Sequence, residues 1–240
     1  MDREVADRII VKSNERMDKV RLWWLANKAW LDQQEWHTPI QSGIIELQEE
    51  GYGIQFEEKN EIVELTLFPL EHNGKIPPVF VIFDYDPVST NMNHYRFAPG
   101  QTQIKQDFIR MTIFADHTDA KAALKYQMLM QFMAHYREVI HVEEKKVRKP
   151  AVGKKRHGKS KRPAALLAKR IFVVENFDHK TLPSHAAGKR NYTKPDHEVN
   201  VRGYYRHYKS GKQVWIEPYT RYKEKGNKQA KIYELQEVQG

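Results

Sequence analysis

IVELTLFPL (residues 62–70) and VFVIFDYD (residues 79–86) are the two stretches that decide the fold. Both are rich in β-branched and aromatic residues, and the dipeptide Asn73-Gly74 between them is a strong turn signal. They therefore predict a pair of antiparallel strands. DFIRMTIF (residues 107–114) is a further strand candidate of the same composition.

Apolar residues at helical spacing predict helices on both sides of these strands. The face of an N-terminal helix that ends before Pro39 is formed by Val5, Ile9, Met17, Val20, Trp24 and Leu31. A long central helix is expected to begin at the N-cap Thr118 and to end near Glu144; its stripe is Leu124, Met128, Phe132, Tyr136, Val139 and Ile140. The predicted fold class is α+β: an N-terminal helix and antiparallel sheet with a long central helix, then a small basic β module.

Charge divides the chain into three parts. Residues 1–144 carry 15 Lys or Arg against 23 Asp or Glu, a net charge of −8, and form an acidic α+β body. Residues 145–225 carry 23 against 6, a net charge of +17. Within them, residues 145–163 hold almost no large apolar side chain, so we expect a basic linker that burial cannot order. Residues 164–240 form the basic, β-rich C-terminal module.

The basic linker is a candidate for nucleic-acid contact. Mobile positive charge attracts phosphate and releases counterions, which gives salt-dependent binding without sequence preference. The candidate residues are Lys154, Lys155, Arg156, Lys159, Lys161 and Arg162. Two alternatives remain open: a solvated linker between two modules, and contact with an anionic protein surface, including the acidic body of this chain.

Residues 199–222 are expected to form two strands joined at Ser210-Gly211. A period of two puts Val201, Gly203, Tyr205 and His207 on one face, and Arg202, Tyr204, Arg206 and Tyr208 on the other. Alternating guanidinium and phenol groups are typical of surfaces that bind single-stranded RNA. The predicted RNA contacts are Arg202, Tyr204, Arg206, Tyr208, Lys212 and Trp215. The alternative is that the aromatic residues form a small core with a basic rim.

Catalytic signals are weak, and no catalytic residue is assigned. Asp84 and Asp86 are separated by one residue at the end of a strand candidate, which puts them on the same face. With Glu64 they could hold a divalent cation for phosphodiester cleavage. An aspartate before Pro87 is also typical of a turn. No metal site and no cofactor are expected, because the chain has no cysteine and its histidines lack metal-ligand spacing.

Several classes of protein are excluded by composition. No apolar run approaches the roughly 18–20 residues that span a bilayer, and the N-terminus has no secretory signal pattern. The absence of cysteine excludes disulfides and thiolate chemistry. We therefore expect a cytoplasmic protein with no membrane partner.

The stretch Arg-Gly-Tyr-Tyr-Arg-His-Tyr at residues 202–208, with Gly211 and then Trp215 in the next strand, resembles a C-terminal module of phage, plasmid and integrative-element proteins. The characterised family that it resembles is that of the type V-A anti-CRISPR protein that lowers the level of the effector nuclease by acting on its translation and messenger RNA. Its pattern is approximately Arg-Gly-His-Trp-x-x-Tyr, preceded by a His and basic residues. Here His197 stands upstream, and two tyrosines replace the His-Trp pair.

The order of parts is also similar, with the Trp-rich LWWLANKAW near the N-terminus and a basic run before the motif. The resemblance implies a mobile-element protein that acts on a host target. The acidic body would recognise a nascent polypeptide, and the basic module would bind RNA or the ribosome.

The resulting hypothesis is a phage- or mobile-element-encoded regulator or inhibitor, without enzymatic activity, that binds RNA or a ribonucleoprotein through its basic C-terminal third. An alternative is an inhibitor that docks on an acidic surface of a host protein. A further alternative is a metal-dependent nuclease that uses Asp84, Asp86 and Glu64.

Overall fold

A computed structural model gives the fold. It describes residues 6–70, 81–97, 116–135, 198–208, 210–225 and 230–236, the isolated residues 102, 103, 106 and 107, and the backbone of 139–145 and 168–174. In this part of the chain two helices pack on a mixed sheet. The predicted α+β class is confirmed.

The described secondary structure contains helices α1 (Asn14–Leu31) and α2 (Thr118–His135). The strands are β1 (Asp7–Val11), β2 (Ser42–Leu47), β3 (Tyr52–Lys59), β4 (Ile62–Pro69), β5 (Val81–Tyr85), β6 (Met92–Arg96), β7 (Val139–Lys145), β8 (Ala168–Val174), β9 (Val199–Val201), β10 (Tyr204–His207), β11 (Gln213–Ile216), β12 (Tyr219–Arg221) and β13 (Lys231–Gln236). A short 3-10 helix spans Lys223–Lys225.

The main sheet has seven strands in the order β6-β5-β4-β3-β2-β1-β13, and β8 and β7 continue it beyond β13. Strands β2 to β6 are antiparallel neighbours, which confirms the predicted pairing of β4 with β5. Strand β1 is parallel to both β2 and β13, and β13 is parallel to β8. The prediction of an antiparallel sheet therefore holds for β2 to β6 and not for the sheet as a whole, which is mixed, and two strands from the predicted basic module lie in the sheet of the body.

Helix α1 begins later than the sequence pattern predicted. Ile9, Ile10 and Val11 are all buried in β1, which has a strand on each side. Such a run of β-branched residues is typical of a parallel strand that is covered on both faces. Ser13, in an extended conformation, then takes the N-cap position of the helix. Ile9 was thus wrongly assigned to the helix, and Val5 lies outside the described residues.

Helix α2 begins at Thr118, the predicted N-cap, but it ends at His135 and not near Glu144. Val139 and Ile140, which were predicted to continue the helical stripe, belong to strand β7. β-Branched residues favour extended backbone, and β7 pairs with β8 from Val139 to Lys145, with a register shift between Val139 and His141. The expected central helix is therefore shorter than predicted.

The main core lies between the two helices and one face of the sheet. Its largest fully buried side chains include Tyr126, Tyr233, Phe56 and Phe83. The edge of Trp23 meets the ring of Phe132 with centroids 5.4 Å apart, which joins α1 to α2. The core thus fixes the C-terminal end of α2, on which the next elements pack.

Strands β9 to β12 form what we call the C-terminal ribbon. Strand β9 pairs with β12, and β10 pairs with β11; both pairs are antiparallel. The two pairs share one register, since Val201 lies opposite Tyr219 and Tyr204 lies opposite Ile216. The predicted turn is present, since the amide of Tyr208 donates to the carbonyl of Lys212 at 2.9 Å. Gly211 has a φ of +82°, a conformation that favours glycine.

Several sequence predictions lie wholly or partly outside the described residues, among them the turn at Asn73-Gly74 and Tyr136 of the helical stripe. The basic linker lies outside the described residues apart from Lys145, which ends β7. The strand candidate at 107–114 also lies outside them, apart from Asp107, where the backbone is helical. In the described part of the chain, neither helix is long and apolar enough to cross a bilayer.

Candidate nucleic-acid interface

The C-terminal ribbon is held on the body by aromatic stacking. The ring of Tyr205 lies parallel to that of His135, at the end of α2, with centroids 4.6 Å apart. Trp215 lies opposite Tyr205 on β11, and its ring stacks on His37 at 4.6 Å and 6°. Burial raises the pKa of Tyr205, as expected for a phenol packed between elements. The inner face of the ribbon is therefore structural.

Arg202 belongs to the same attachment. Its Nη1 donates to the carbonyl of Met133 at 2.6 Å, in the last turn of α2. A cation at this position satisfies a terminal carbonyl and interacts favourably with the helix dipole. The amide of Gly203 donates to the carbonyl of Pro39 at 2.7 Å. Arg202, predicted to face RNA, thus points to the body and fixes the ribbon.

Gly203 allows the close approach of Trp215. A Cβ atom built on this glycine would lie less than 3.0 Å from the indole ring, so a larger residue could not occupy the same backbone position. The buried Nε1 of Trp215 has no hydrogen-bond partner within the described residues. Trp215, predicted as an RNA contact, therefore lies on the inner face and packs against Gly203 and His37.

The outer face of the ribbon carries the alternating residues of β10. Tyr204 and Arg206 of β10 and Tyr208, just after the strand, share this face; Tyr204 is half-buried, Arg206 is exposed and Tyr208 is 46% exposed. A hydrogen bond to Tyr208, with Tyr204 also beside it, raises the pKa of the Arg206 guanidinium. Lys212 is exposed in the turn opposite Tyr208. We call these four residues the outer face; they form a cation between two phenols, with a lysine at the tip.

A second tyrosine–arginine pair lies on β12, and the sequence analysis missed it. Arg221 donates to the hydroxyl of Tyr219 at 2.6 Å, and its guanidinium lies 5.2 Å from the centre of that ring. Both residues are exposed. The spacing Tyr-x-Arg at 219–221 repeats that of Tyr204 and Arg206, and this repetition was the available signal.

The remaining predicted contacts are the six linker residues Lys154, Lys155, Arg156, Lys159, Lys161 and Arg162. All of them lie outside the described residues. The structure therefore brings together four of the predicted contacts on one surface, and it separates Arg202 and Trp215 from them.

We expect Arg202→Ala to lower the free energy of unfolding by about 2 kcal/mol, because it removes a charged hydrogen bond to a helix-terminal carbonyl. Arg206→Ala is the matched control, since its exposed side chain should change stability by less than about 0.5 kcal/mol. Urea denaturation of both variants measures the difference. Equal stability of the two variants would contradict the structural role of Arg202.

The three carboxylates considered for metal binding do not form a metal site. Glu64 and Asp84 are cross-strand neighbours on β4 and β5, as a shared site would need. Arg96 bridges them, however, with its Nη2 at 2.8 Å from Glu64 and 2.9 Å from Asp84. His94 Nδ1 lies 3.0 Å from the other oxygen of Asp84. These carboxylates thus already have cationic or imidazole partners.

Asp86 has the role of a turn residue. Its carboxylate accepts hydrogen bonds from the Ser89 hydroxyl at 2.6 Å and from the amides of Val88 at 2.9 Å and Ser89 at 3.2 Å. This is the pattern of an aspartate that closes a turn. No group of three potential ligand residues is arranged to hold a metal ion in the part of the chain that the structure describes.

The turn at Asp86 predicts a pH effect. The hydrogen bond from the Ser89 hydroxyl, with those from the two amides, lowers the Asp86 pKa below its ordinary value of 3.8. Because the folded-state pKa is the lower one, the charge stabilises the fold above pH 3.8, and this contribution is lost as pH falls through the folded pKa. The stability advantage of the wild type over Asp86→Asn should therefore shrink on acidification. Denaturation between neutral and acidic pH measures it, and a pH-independent difference would contradict it.

Comparison with known proteins found no relative of the chain. No protein-family model, no curated protein and no solved structure matches the chain.

Proposed function

We propose that the chain binds single-stranded RNA through the outer face of its C-terminal ribbon. The observation that carries the proposal is the array of Tyr204, Arg206 and Tyr208 at alternate positions of one face, with Tyr204 half-buried and the other two exposed, while the opposite face packs against the body. Aromatic rings stack on unpaired bases, and a guanidinium between them contacts phosphate or stacks in turn. The attachment of the ribbon would hold this array in place before RNA arrives.

Single-stranded RNA fits this surface better than a duplex. Bases in a duplex are stacked on each other and cannot lie on a tyrosine ring, whereas bases of a single strand are free to do so. The net charge of +17 in residues 145–225 would add salt-dependent affinity for the backbone. In this proposal the linker and the ribbon bind the RNA together, the linker through its charge and the ribbon through its outer face.

The resemblance in residues 202–208 suggests the context. We propose a mobile-element-encoded regulator or inhibitor of the anti-CRISPR type, acting in the cytoplasm on RNA or on a ribonucleoprotein of the host. The acidic body, with a net charge of −8, would be free to contact a protein component such as a nascent chain. No catalytic step is part of this proposal.

Salt-dependent RNA binding tests the proposal. Fluorescence anisotropy of a labelled single-stranded RNA should show binding that weakens with salt, and Arg206→Ala should reduce the slope of log K against log salt by about 0.7. Arg21→Ala, an exposed arginine on α1, is the matched control and should leave the slope unchanged. Absence of RNA binding by the wild type, or equal slopes for the wild type and Arg206→Ala, would contradict the proposal.

A further inference from the structure

A cleft of about 590 Å³ opens between α1, α2 and the turn after β5. Its size lies within the range of roughly 300–1,000 Å³ that is usual for small-molecule sites. Its walls include Trp24, Trp36 and Tyr85, and the exposed side chains of Val88 and Leu124 stand at its rim. The cleft thus combines an aromatic lining with an apolar rim, and none of its residues belongs to the ribbon.

The polar atoms of these aromatic walls are already bonded within the protein. Trp36 Nε1 donates to the hydroxyl of Thr38 at 3.2 Å, and the Tyr85 hydroxyl donates to Gln127 Oε1 at 2.9 Å. Trp24 Nε1 donates to Gln131 Oε1. Trp24 and Tyr85 are buried, and Lys28 lies over the ring of Trp24, so the partly exposed ring of Trp36 is the aromatic surface that a ligand could contact.

Two side-chain amides of the cleft retain hydrogen-bonding capacity. Gln34 lines the cleft, and its side-chain amide makes no hydrogen bond to any described residue. The oxygen of Gln131 is used by Trp24, but its NH₂ group has no partner in the described part of the chain. Gln34 lies in the bend after α1, where its backbone amide donates to the carbonyl of Leu31, and Trp36 follows two residues later; both residues line the cleft.

The charge at the cleft is balanced. Lys28 Nζ lies 2.8 and 3.0 Å from the two carboxylate oxygens of Asp32, and these are the charged residues of its lining. Such a site offers no net charge to a phosphate or to an ionic side chain. It matches an uncharged planar ring that carries hydrogen-bonding groups on its edge.

We infer that this cleft is a nucleobase site, in which a base lies against Trp36 and its edge is read by the amides of Gln34 and Gln131. Glutamine amides pair with the edges of bases, and aromatic rings stack on their faces. The base could come from a free nucleoside or from a nucleotide of a bound RNA. The inference stands apart from the proposed function, because the cleft can take a nucleoside whether or not the ribbon binds RNA.

The segment that lines the cleft also holds the ribbon on the body. Trp36 lines the cleft, and the next residue, His37, stacks on Trp215 of the inner face. An RNA bound on the outer face is therefore one source of a base for the cleft, and a free nucleoside is the other.

Titration of nucleosides into the full-length protein tests the inference. Adenosine, guanosine, cytidine and uridine are added separately, and binding is followed by calorimetry and by quenching of tryptophan fluorescence. We expect at least one nucleoside to bind, and Gln34→Ala to weaken it by about tenfold, which corresponds to the loss of one amide–base pair. Gln33→Ala, an exposed neighbour that does not line the cleft, is the matched control and should bind the nucleoside as the wild type does.

An RNA with one abasic position distinguishes the two sources. In one outcome, the wild type binds the abasic RNA more weakly than the intact RNA, whereas Gln34→Ala binds the two RNAs with equal affinity. The base in the cleft then belongs to the RNA. If nucleosides bind and the abasic position has no effect, the cleft takes free nucleosides. Failure of all four nucleosides to bind, or unchanged affinity in Gln34→Ala, would overturn the inference even if RNA binding at the ribbon is intact.

Discussion

Replacing Tyr204 and Tyr208 together by alanine should weaken binding of single-stranded RNA by at least about 30-fold, since stacking of one base on an aromatic ring contributes roughly 1–3 kcal/mol. Both rings lie on the outer face of the ribbon, where Tyr208 is 46% exposed and Tyr204 is half-buried, and neither belongs to the inner face that packs on the body, so their removal should leave the fold unchanged. Anisotropy titration at fixed salt measures the affinity, and urea denaturation checks the stability.

The double variant Tyr204→Phe/Tyr208→Phe is the matched control. Phenylalanine keeps the ring but loses the hydroxyl that bonds Arg206, so most of the affinity should remain. Equal losses in the Phe and Ala variants would show that the hydroxyls matter and the ring faces do not. Wild-type affinity in the Ala variant would remove the outer face from the interface.

Gly203→Val should lower the free energy of unfolding by about 3 kcal/mol, the upper end of the usual cost of overpacking. Its Cβ atom would collide with the indole ring of Trp215, which would have to leave its stack on His37. The hydrogen bond from residue 203 to the carbonyl of Pro39 lies at the same point. Urea denaturation of the full-length protein measures the effect.

A double-mutant cycle separates this collision from a general effect of the substitution. On a Trp215→Ala background the ring is absent, so Gly203→Val should cost much less than in the wild type. Equal costs on both backgrounds would show that the two residues are not in contact. A Gly203→Val variant as stable as the wild type would contradict the packing of the ribbon on the body.

Local patterns predicted the antiparallel pair of β4 and β5, because these strands are close in sequence on either side of Asn73-Gly74. They could not predict the centre of the sheet, where Arg8 of β1 pairs with Ile232 of β13 across almost the whole chain. No short-range signal records such a pairing. The spacing of Ile9 from Met17 fits one face of a helix, but it also fits a separate strand that precedes the helix. Ser13, which is a suitable N-cap residue, is the one sequence signal that separates these two interpretations.

The same reasoning separates what could and could not be predicted of the candidate site. Strand alternation correctly predicted that Tyr205 lies on the other face of the strand from Tyr204 and Arg206. The same alternation put Arg202 on the outer face, which would be correct for an uninterrupted strand. The strand is interrupted between β9 and β10, however, and Arg202 donates to the carbonyl of Met133 at the end of α2. The partner of Trp215, His37, is far away in sequence, so its inward position could not be predicted.

Chemical-shift mapping on a short single-stranded RNA tests the central claim most directly. We predict that the signals of Tyr204, Arg206, Tyr208 and Lys212 shift on binding, and that Arg202 and the Trp215 indole keep their contacts with the body. RNA binding that leaves the signals of Tyr204, Arg206 and Tyr208 unchanged would contradict the assignment of the outer face as the RNA-binding surface.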